Sequence, residues 1–103
     1  MSGARAGDAA IIGGGLTGLA LAAALGQAGL DVLVVERAPL QRLASPAFDG
    51  RVTAVARGSK LLLDGIGVWA SLAADAQAIR DIVVGEAASP ARVHYDHREV
   101  GAE

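Results

Sequence analysis

Three glycines near the N-terminus follow a short apolar run with the spacing Gly13-x-Gly15-x-x-Gly18. In a dinucleotide site the first permits a tight turn, the second lets the backbone approach the phosphates, and the third lets a helix lie close to a sheet. The N–H groups around Leu16 and Thr17 would point at the anion, because a helix N-terminus offers unpaired donors and partial positive charge. The pattern predicts a diphosphate site that needs no lysine or arginine.

Glu36 stands about 20 residues beyond these glycines, where such sites place an acidic residue. A carboxylate there accepts hydrogen bonds from ribose hydroxyls and repels a 2′-phosphate, so FAD or NAD fits better than NADP. The alternative is a solvated charge at a strand end, but this spacing favours the ribose role. Arg37 has two equally supported interpretations: an exposed surface charge, or a guanidinium group that stacks on the adenine ring.

These residues require a strand, a turn, a helix and a second strand to bring them together. The apolar runs at residues 9–12 and 32–35, with a Leu- and Ala-rich stretch between them, predict a parallel βαβ unit from about Asp8 to Glu36. Gly29 suits the left-handed position that ends a helix. The second run does not alternate with polar residues, which predicts a strand covered on both faces.

The rest of the chain has a weaker pattern. It predicts a loop over residues 37–50, a helix from Arg51 closed by Gly65 and Gly67, and a helical turn over residues 68–78. Residues 79–84 and 92–95 then predict two strands of a hairpin. The apolar face of the helix from Arg51 is predicted to comprise Val52, Val55, Leu62, Leu63 and Ile66.

Composition excludes several classes of protein. The chain has 103 residues, 52% of them hydrophobic, and a mean hydropathy of +0.42. This length and composition predict one folded domain rather than a disordered chain. A net charge of -2 and a pI near 5.6, without runs of like charge, argue against a nucleic-acid partner. The absence of cysteine excludes disulfides and thiolate metal sites, and we expect a cytoplasmic location.

Three further features of the sequence bear on function. The apolar stretch at residues 16–30 follows Asp8 and the glycines rather than a charged leader, so we do not interpret it as a signal peptide, and it is shorter than a membrane span of about 20 apolar residues. Alternation puts His94 and Asp96 on one side of a strand and His97 on the other, so no metal site is predicted. Trp69 is predicted to be a packing residue.

Longer segments resemble the N-terminal part of the FAD-dependent aromatic hydroxylases, most closely the ubiquinone-biosynthesis hydroxylase family. The Gly-rich segment at residues 10–20 is common to many FAD enzymes. The other segments, which together with it span most of the chain, are Asp49-Gly50-Arg51-Val52-Thr53-Ala54-Val55-Ala56, Leu62-Leu63-Asp64-Gly65-Ile66-Gly67-Val68-Trp69 and Tyr95-Asp96-His97-Arg98-Glu99-Val100-Gly101.

The resemblance implies an α/β fold: a Rossmann-type βαβ unit within an incomplete three-layer FAD/NAD(P)-binding architecture. Residues 1–78 would form the FAD-binding portion, and residues 79–103 would begin a β-hairpin region on the substrate side. The resemblance also adds Arg51, whose cation would lie along the FAD. The predicted cofactor-binding residues are therefore Gly13, Gly15, Leu16, Thr17, Gly18, Glu36, Arg37 and Arg51.

The implied function is a class A flavin monooxygenase. FAD reduced by NADH or NADPH would react with oxygen and hydroxylate an aromatic ring, here a polyprenylated phenol of ubiquinone biosynthesis. Members of the family are several times longer, so we expect a fragment that is inactive alone, and no catalytic residue is assigned. The lipid-like substrate implies peripheral association with the inner membrane, without a transmembrane segment. The ring position and the electron donor are left open.

Two other functions compete with this interpretation. An NAD-dependent dehydrogenase shares the pattern from Gly13 to Glu36 but does not account for the Asp49-Gly50-Arg51 segment. A non-catalytic assembly module would pair its incomplete sheet with another chain, because open strand edges and an uncovered apolar face favour association. The second alternative predicts an oligomer formed through the exposed sheet edge.

Overall fold

A computed structural model describes residues 6–43, 45, 47, 48 and 50–101 of the chain. Pro46, in the predicted loop, and Asp49, in the Asp-Gly-Arg segment, lie outside the described residues. The internal contacts divide the chain between Ser71 and Leu72 into two compact units.

The first unit opens with the predicted βαβ arrangement. Strand β1 (Ala9–Ile12), helix α1 (Leu16–Gln27) and strand β2 (Val32–Val35) follow one another. The two strands are parallel, with Ile11 opposite Val34. The prediction of a parallel βαβ unit is confirmed, and the carboxyl ends of both strands lie at one edge of the sheet.

Among the residues that the structure describes, only one face of this two-stranded sheet is covered. Ile11 and Val34 are half-buried, on the face over which α1 packs. On the opposite face Ile12 is 81% exposed and Val35 is 47% exposed. The prediction that β2 is covered on both faces is therefore wrong for this chain. The apolar run correctly predicted the strand. Its second face would be buried only if another helix or another chain packed against it, and the strand sequence does not encode that contact.

Helix α1 ends as the sequence predicts. Gly29 has a φ of +88°, a left-handed conformation that residues with a Cβ rarely adopt. Its N–H donates to the carbonyl of Gly26 at 3.0 Å, and the N–H of Leu30 donates to that of Leu25 at 3.1 Å. These two bonds form a Schellman motif, which satisfies carbonyls that the end of the helix would otherwise leave free.

The helix predicted to start at Arg51 starts later, at Arg57. Helix α3 spans Arg57–Gly65, and the segment before it is irregular, with Ala56 in an extended conformation. The predicted start is wrong because the preceding segment contains β-branched residues, which resist the helical conformation. Val52 is consequently 89% exposed rather than part of an apolar helix face, whereas Ile66, just after α3, is buried.

The end of α3 is fixed to the end of α1. Gly67 has a φ of +78°, and the N–H of Val68 donates to the carbonyl of Leu63 at 2.8 Å, so this helix also closes with a Schellman motif. The Gln27 side chain at the end of α1 donates from Nε2 to the carbonyl of Ile66 at 2.6 Å. This hydrogen bond joins the C-terminal ends of the two helices.

Shorter elements complete the helical part. Helix α2 (Leu40–Leu43) is a single turn inside the predicted loop, which is therefore not wholly irregular. Helix α4 (Trp69–Leu72) and a 3₁₀ turn (Ala73–Asp75) confirm the helical turn predicted over residues 68–78.

The second unit contains the predicted hairpin. Strands β3 (Asp81–Gly85) and β4 (Arg92–Asp96) are antiparallel, with Val83 opposite His94. A 3₁₀ turn (His97–Val100) follows and begins at Asp96, whose side chain accepts from the N–H of Arg98. Four apolar side chains share one face of the hairpin, and each is more than half exposed: Ile82, Val84, Val93 and Tyr95.

Candidate functional site

The glycine turn between β1 and α1 brings the helix against the strand. Gly13 has a φ of +103°, which the tight turn requires and which favours glycine. A Cβ added at Gly18 would overlap the carbonyl oxygen of Gly13 and lie 3.3 Å from Cγ2 of Ile11. The absence of a side chain at Gly18 therefore allows the close contact between helix and strand that this motif requires.

The N-terminal end of α1, here called the mouth of α1, is formed by Gly15 and the first three helical residues. It faces open space and carries backbone N–H donors without partners. A Cβ added at Gly15, the N-cap residue, would meet no atom within 4 Å. The first hydrogen bond of the helix is donated by the N–H of Leu19 to the carbonyl of Gly15 at 2.9 Å. Within the described ranges, the N–H groups of Leu16, Thr17 and Gly18 have no hydrogen-bond partner. Leu16 is 75% exposed, so this end of α1 lies at the surface, where helix N-termini commonly bind anions.

Glu36 lies at the same place, directly after β2. Its Oε2 accepts a hydrogen bond from the N–H of Gly14 at 2.6 Å, and its Oε1 accepts one from the N–H of Ala38 at 2.8 Å. The hydrogen bonds from Ala38 and Gly14 lower the pKa of Glu36, and the charge of Arg37 adds to this shift. The carboxylate is therefore charged at neutral pH and next to the mouth of α1.

The structure brings most of the predicted site residues together. The turn and helix mouth hold Gly13, Gly15, Leu16, Thr17 and Gly18, and the hydrogen bond to Gly14 places Glu36 beside them.

The two predicted arginines are placed less closely. Arg37 follows Glu36 and is exposed, and Arg51 is exposed in the irregular segment before α3. Their contacts with a cofactor stay predictions.

Two residues at this site were not predicted from the sequence. Gly14 is buried and donates to Glu36, and Ala38 donates to the other oxygen of the same carboxylate. The sequence contains one signal for Gly14. It is the middle residue of a glycine triplet and occupies a position of the GxGxxG motif that does not require glycine. Ala38 carries no signal, because it contributes only a backbone N–H.

The histidines have other partners. His94 Nε2 lies 2.9 Å from Oδ1 of Asp81, and His97 Nδ1 lies 3.0 Å from the carbonyl oxygen of Arg80. Among the described residues, no three histidine or carboxylate side chains are arranged to hold a metal ion.

Trp69 packs within the first unit. Trp69 is half-buried and has the ammonium group of Lys60 5.2 Å from its ring centre, a cation–π contact. In the part of the chain that the structure describes, no helix has the length and apolar character to cross a membrane.

This arrangement fits the diphosphate and ribose of a dinucleotide. The open space outside Gly15 leaves room for a phosphate against the backbone, and the unpaired N–H groups could donate hydrogen bonds to it. The Glu36 carboxylate has about four lone-pair sites and uses two for backbone N–H groups, so it can also accept from ribose hydroxyls.

Comparison with known proteins identifies a family and several relatives. Residues 7–102 match the protein family described as FAD binding domain. The chain is 40% identical over 92 residues to the ubiquinone hydroxylase UbiL of Rhodospirillum rubrum, a match that covers 89% of this chain and 21% of that protein.

Two other relatives match a shorter stretch. The ubiquinone hydroxylase UbiM of Neisseria meningitidis is 39% identical over 62 residues, which cover 60% of this chain and 13% of the relative. The 3-demethoxyubiquinol 3-hydroxylase of Escherichia coli is 44% identical over 63 residues, covering 60% of this chain and 16% of the relative. The chain thus spans about a fifth or less of the length of these relatives. Because the family match extends over nearly all of its residues, the chain belongs to the FAD-binding domain family.

Proposed function

We propose that this chain forms the diphosphate- and ribose-binding part of the FAD site in a flavin-dependent monooxygenase of ubiquinone biosynthesis. The observation that carries the proposal is the 2.6 Å hydrogen bond from Gly14 to Glu36, because it fixes an acidic group beside the open mouth of α1. Dinucleotide sites of this type hold the diphosphate at the helix N-terminus and the ribose on the acidic residue that ends the second strand. The family match favours FAD over NAD as the nucleotide.

Each group of residues has a separate task in binding FAD. The N–H groups of Leu16 and Thr17 hold the diphosphate, and Gly15 allows it to approach the backbone. Glu36 accepts from the ribose hydroxyls. Arg37 lies beside the nucleoside, and Arg51 supplies a cation along the FAD. When bound, FAD supplies the redox and oxygen chemistry of the enzyme.

The remaining features are proposed from the relatives. Their names, ubiquinone hydroxylase and 3-demethoxyubiquinol 3-hydroxylase, support an aromatic substrate of ubiquinone biosynthesis. The resemblance to the FAD-dependent aromatic hydroxylases supports a polyprenylated phenol as that substrate and NADH or NADPH as the electron donor. We propose residues 1–78 as the FAD-binding portion of a three-layer fold and residues 79–103 as the start of the substrate-side hairpin. Because such a substrate resides in lipid, we also propose peripheral association with the inner membrane.

FAD binding by the purified chain tests this proposal. Flavin absorbance and fluorescence titration should show binding by the wild type, whereas a chain that binds NAD and not FAD would support the dehydrogenase alternative. Gly15→Val should weaken FAD binding by about tenfold or more, since losing one charge-assisted hydrogen bond has about that effect. The control is Gly26→Val, in α1 and also facing open space, which should retain FAD binding. Equal affinity of the two variants would contradict the proposed site.

A second candidate function, assembly with another chain, is favoured by one observation. The uncovered face of the β1–β2 sheet exposes apolar side chains, including Ile12, Leu33 and Val35. Sheets with open edges and an apolar face tend to pair with further strands or pack against other chains. This candidate is compatible with FAD binding, because the mouth of α1 lies at the end of the strands rather than on the exposed face.

A further inference from the structure

The Glu36 carboxylate connects the two loops that follow β1 and β2. Oε2 accepts from Gly14 in the glycine turn, and Oε1 accepts from Ala38, two residues beyond Glu36. The bond to Gly14 joins residues 22 positions apart in the chain. One side chain therefore ties together the two loops at the edge of the sheet where the nucleotide is proposed to bind.

We propose that Glu36 is a positioning residue that sets the glycine turn in its binding conformation before the cofactor arrives. The inference rests on the proposed FAD site and adds a role that does not require contact with FAD. The inference also divides the backbone donors of the turn between two partners. The N–H of Gly14 donates to Glu36, while those of Leu16 and Thr17 stay available for the diphosphate.

Packing around Gly14 supports this role. Gly14 is buried, and a Cβ added there would lie 3.2 Å from both Cβ and Oε2 of Glu36. The Glu36 side chain thus packs directly on the backbone of the turn, and a Cβ at position 14 would push it away by a few tenths of an ångström. A Cβ at Gly15 meets nothing. Two adjacent glycines therefore have separate roles: Gly14 makes room for Glu36, and Gly15 makes room for the cofactor.

The charges around Glu36 are consistent with a carboxylate held by N–H groups. Its surroundings include the N–H groups of Ala38 and Gly14 and the charge of Arg37. Helix α1 has no acidic residue in its first turn to repel it. These hydrogen bonds favour the charged form over the protonated form, so the pKa of Glu36 lies below its ordinary value of 4.5. The hydrogen bonds from Gly14 and Ala38 should therefore weaken as pH falls through that lowered pKa.

Amide NMR of the cofactor-free chain tests the proposal. In the wild type, the amide protons of Gly14 and Ala38 should shift together with pH, with one midpoint below 4.5. Glu36→Gln should abolish this shift, because the side-chain amide of glutamine does not ionise in this pH range. A Gly14 amide that does not titrate in the wild type, or titrates unchanged in Glu36→Gln, would overturn the proposal.

Hydrogen exchange gives a second measurement that does not depend on FAD. Glu36→Ala should speed exchange of the Gly14 amide by about tenfold, the effect of losing a charge-assisted hydrogen bond, and leave the Leu19 amide of α1 unchanged. Loss of protection throughout α1 would show that Glu36 holds the whole unit rather than the turn, and would contradict the proposal.

Gly14→Ala and Gly15→Val separate this inference from the proposed FAD site. Gly14→Ala should alter the pH-dependent shift of the Ala38 amide, because it displaces the carboxylate, whereas Gly15→Val should leave that shift intact and weaken FAD binding. If FAD binds but the shifts of the Gly14 and Ala38 amides are independent of Glu36, the positioning role fails alone. If those amides respond as expected but FAD does not bind, the proposed FAD site fails instead.

Discussion

Gly18 and Gly13 are in direct backbone contact across the turn from β1 to α1. Of the glycines in α1, Gly18 faces the strand and has no room for a Cβ, whereas Gly26 faces open space. Replacing glycine by alanine should therefore change the free energy of unfolding in opposite directions at these two positions of α1. The difference measures how closely the helix approaches the sheet.

Gly18→Ala should lower the free energy of unfolding by about 1–3 kcal/mol, because its methyl group would overlap the Gly13 carbonyl and force the backbone apart. Gly26→Ala should raise it by about 0.5–1 kcal/mol, since alanine is the better helix former. Urea denaturation followed by circular dichroism measures both. Equal destabilisation by the two variants would show that α1 does not approach the strand at Gly18.

At the residue scale, the sequence predicted the glycines and Glu36 as one site because their spacing is the pattern itself. It did not predict that Glu36 bonds to Gly14, since that bond depends on the distance between two loops far apart in the chain. Both ends of the bond are defined only when β1 and β2 pair in parallel.

At the scale of elements, the end of β4 is closed by a local ion pair. Asp96 accepts from the N–H of Arg98 and from its guanidinium Nε, each at 2.9 Å. These bonds start the 3₁₀ turn after the hairpin and lower the pKa of Asp96 from 3.8 to about 2. The Asp96 charge is thus favoured in the folded hairpin over the unfolded chain.

The contribution of Asp96 to hairpin stability should therefore be present above pH 3.8 and be lost as pH falls through about 2. The unfolding midpoints of wild type and Asp96→Asn should differ above pH 3.8 and converge near pH 2. Carboxyl NMR should also show the pKa of Asp96 rising toward 3.8 in Arg98→Lys, which keeps the charge but loses the paired N–H groups. Titration of Asp96 near 3.8 in the wild type would refute this account.

Helix ends were better predicted than helix starts. Gly29 and Gly67 end their helices in the left-handed conformation, as their positions in the sequence indicate. The start of α3 was placed too early, at Arg51, because apolar spacing suggested a helix where β-branched residues disfavour one. A helix end is marked by one residue type, whereas a start without a side-chain cap, as at Ala56, carries no such mark.

At the scale of the whole molecule, an apolar sheet face is left uncovered in the first unit. Exposed Leu33 and Ile12 lie on the face of the sheet opposite α1. Such a face is energetically costly in water and should promote association of the chain.

Sedimentation velocity tests this expectation. The wild type should show concentration-dependent association, and Leu33→Lys should shift it toward monomer, because a charge on the exposed face opposes packing there. Val52→Lys is the matched control, since Val52 is exposed in an irregular segment and not on the sheet. A compact monomer at every wild-type concentration would count against association through this face.

The βαβ unit, the glycine turn, the ends of the helices and the hairpin could all be predicted from local sequence patterns. Each depends on the conformational preferences of neighbouring residues, such as the freedom of glycine and the period of apolar side chains. The tertiary structure alone decided that Glu36 holds the glycine turn, that Gly18 touches the strand, and that one face of the sheet stays exposed. These features depend on distances between residues far apart in the chain, which are set only when the strands pair and the helix packs.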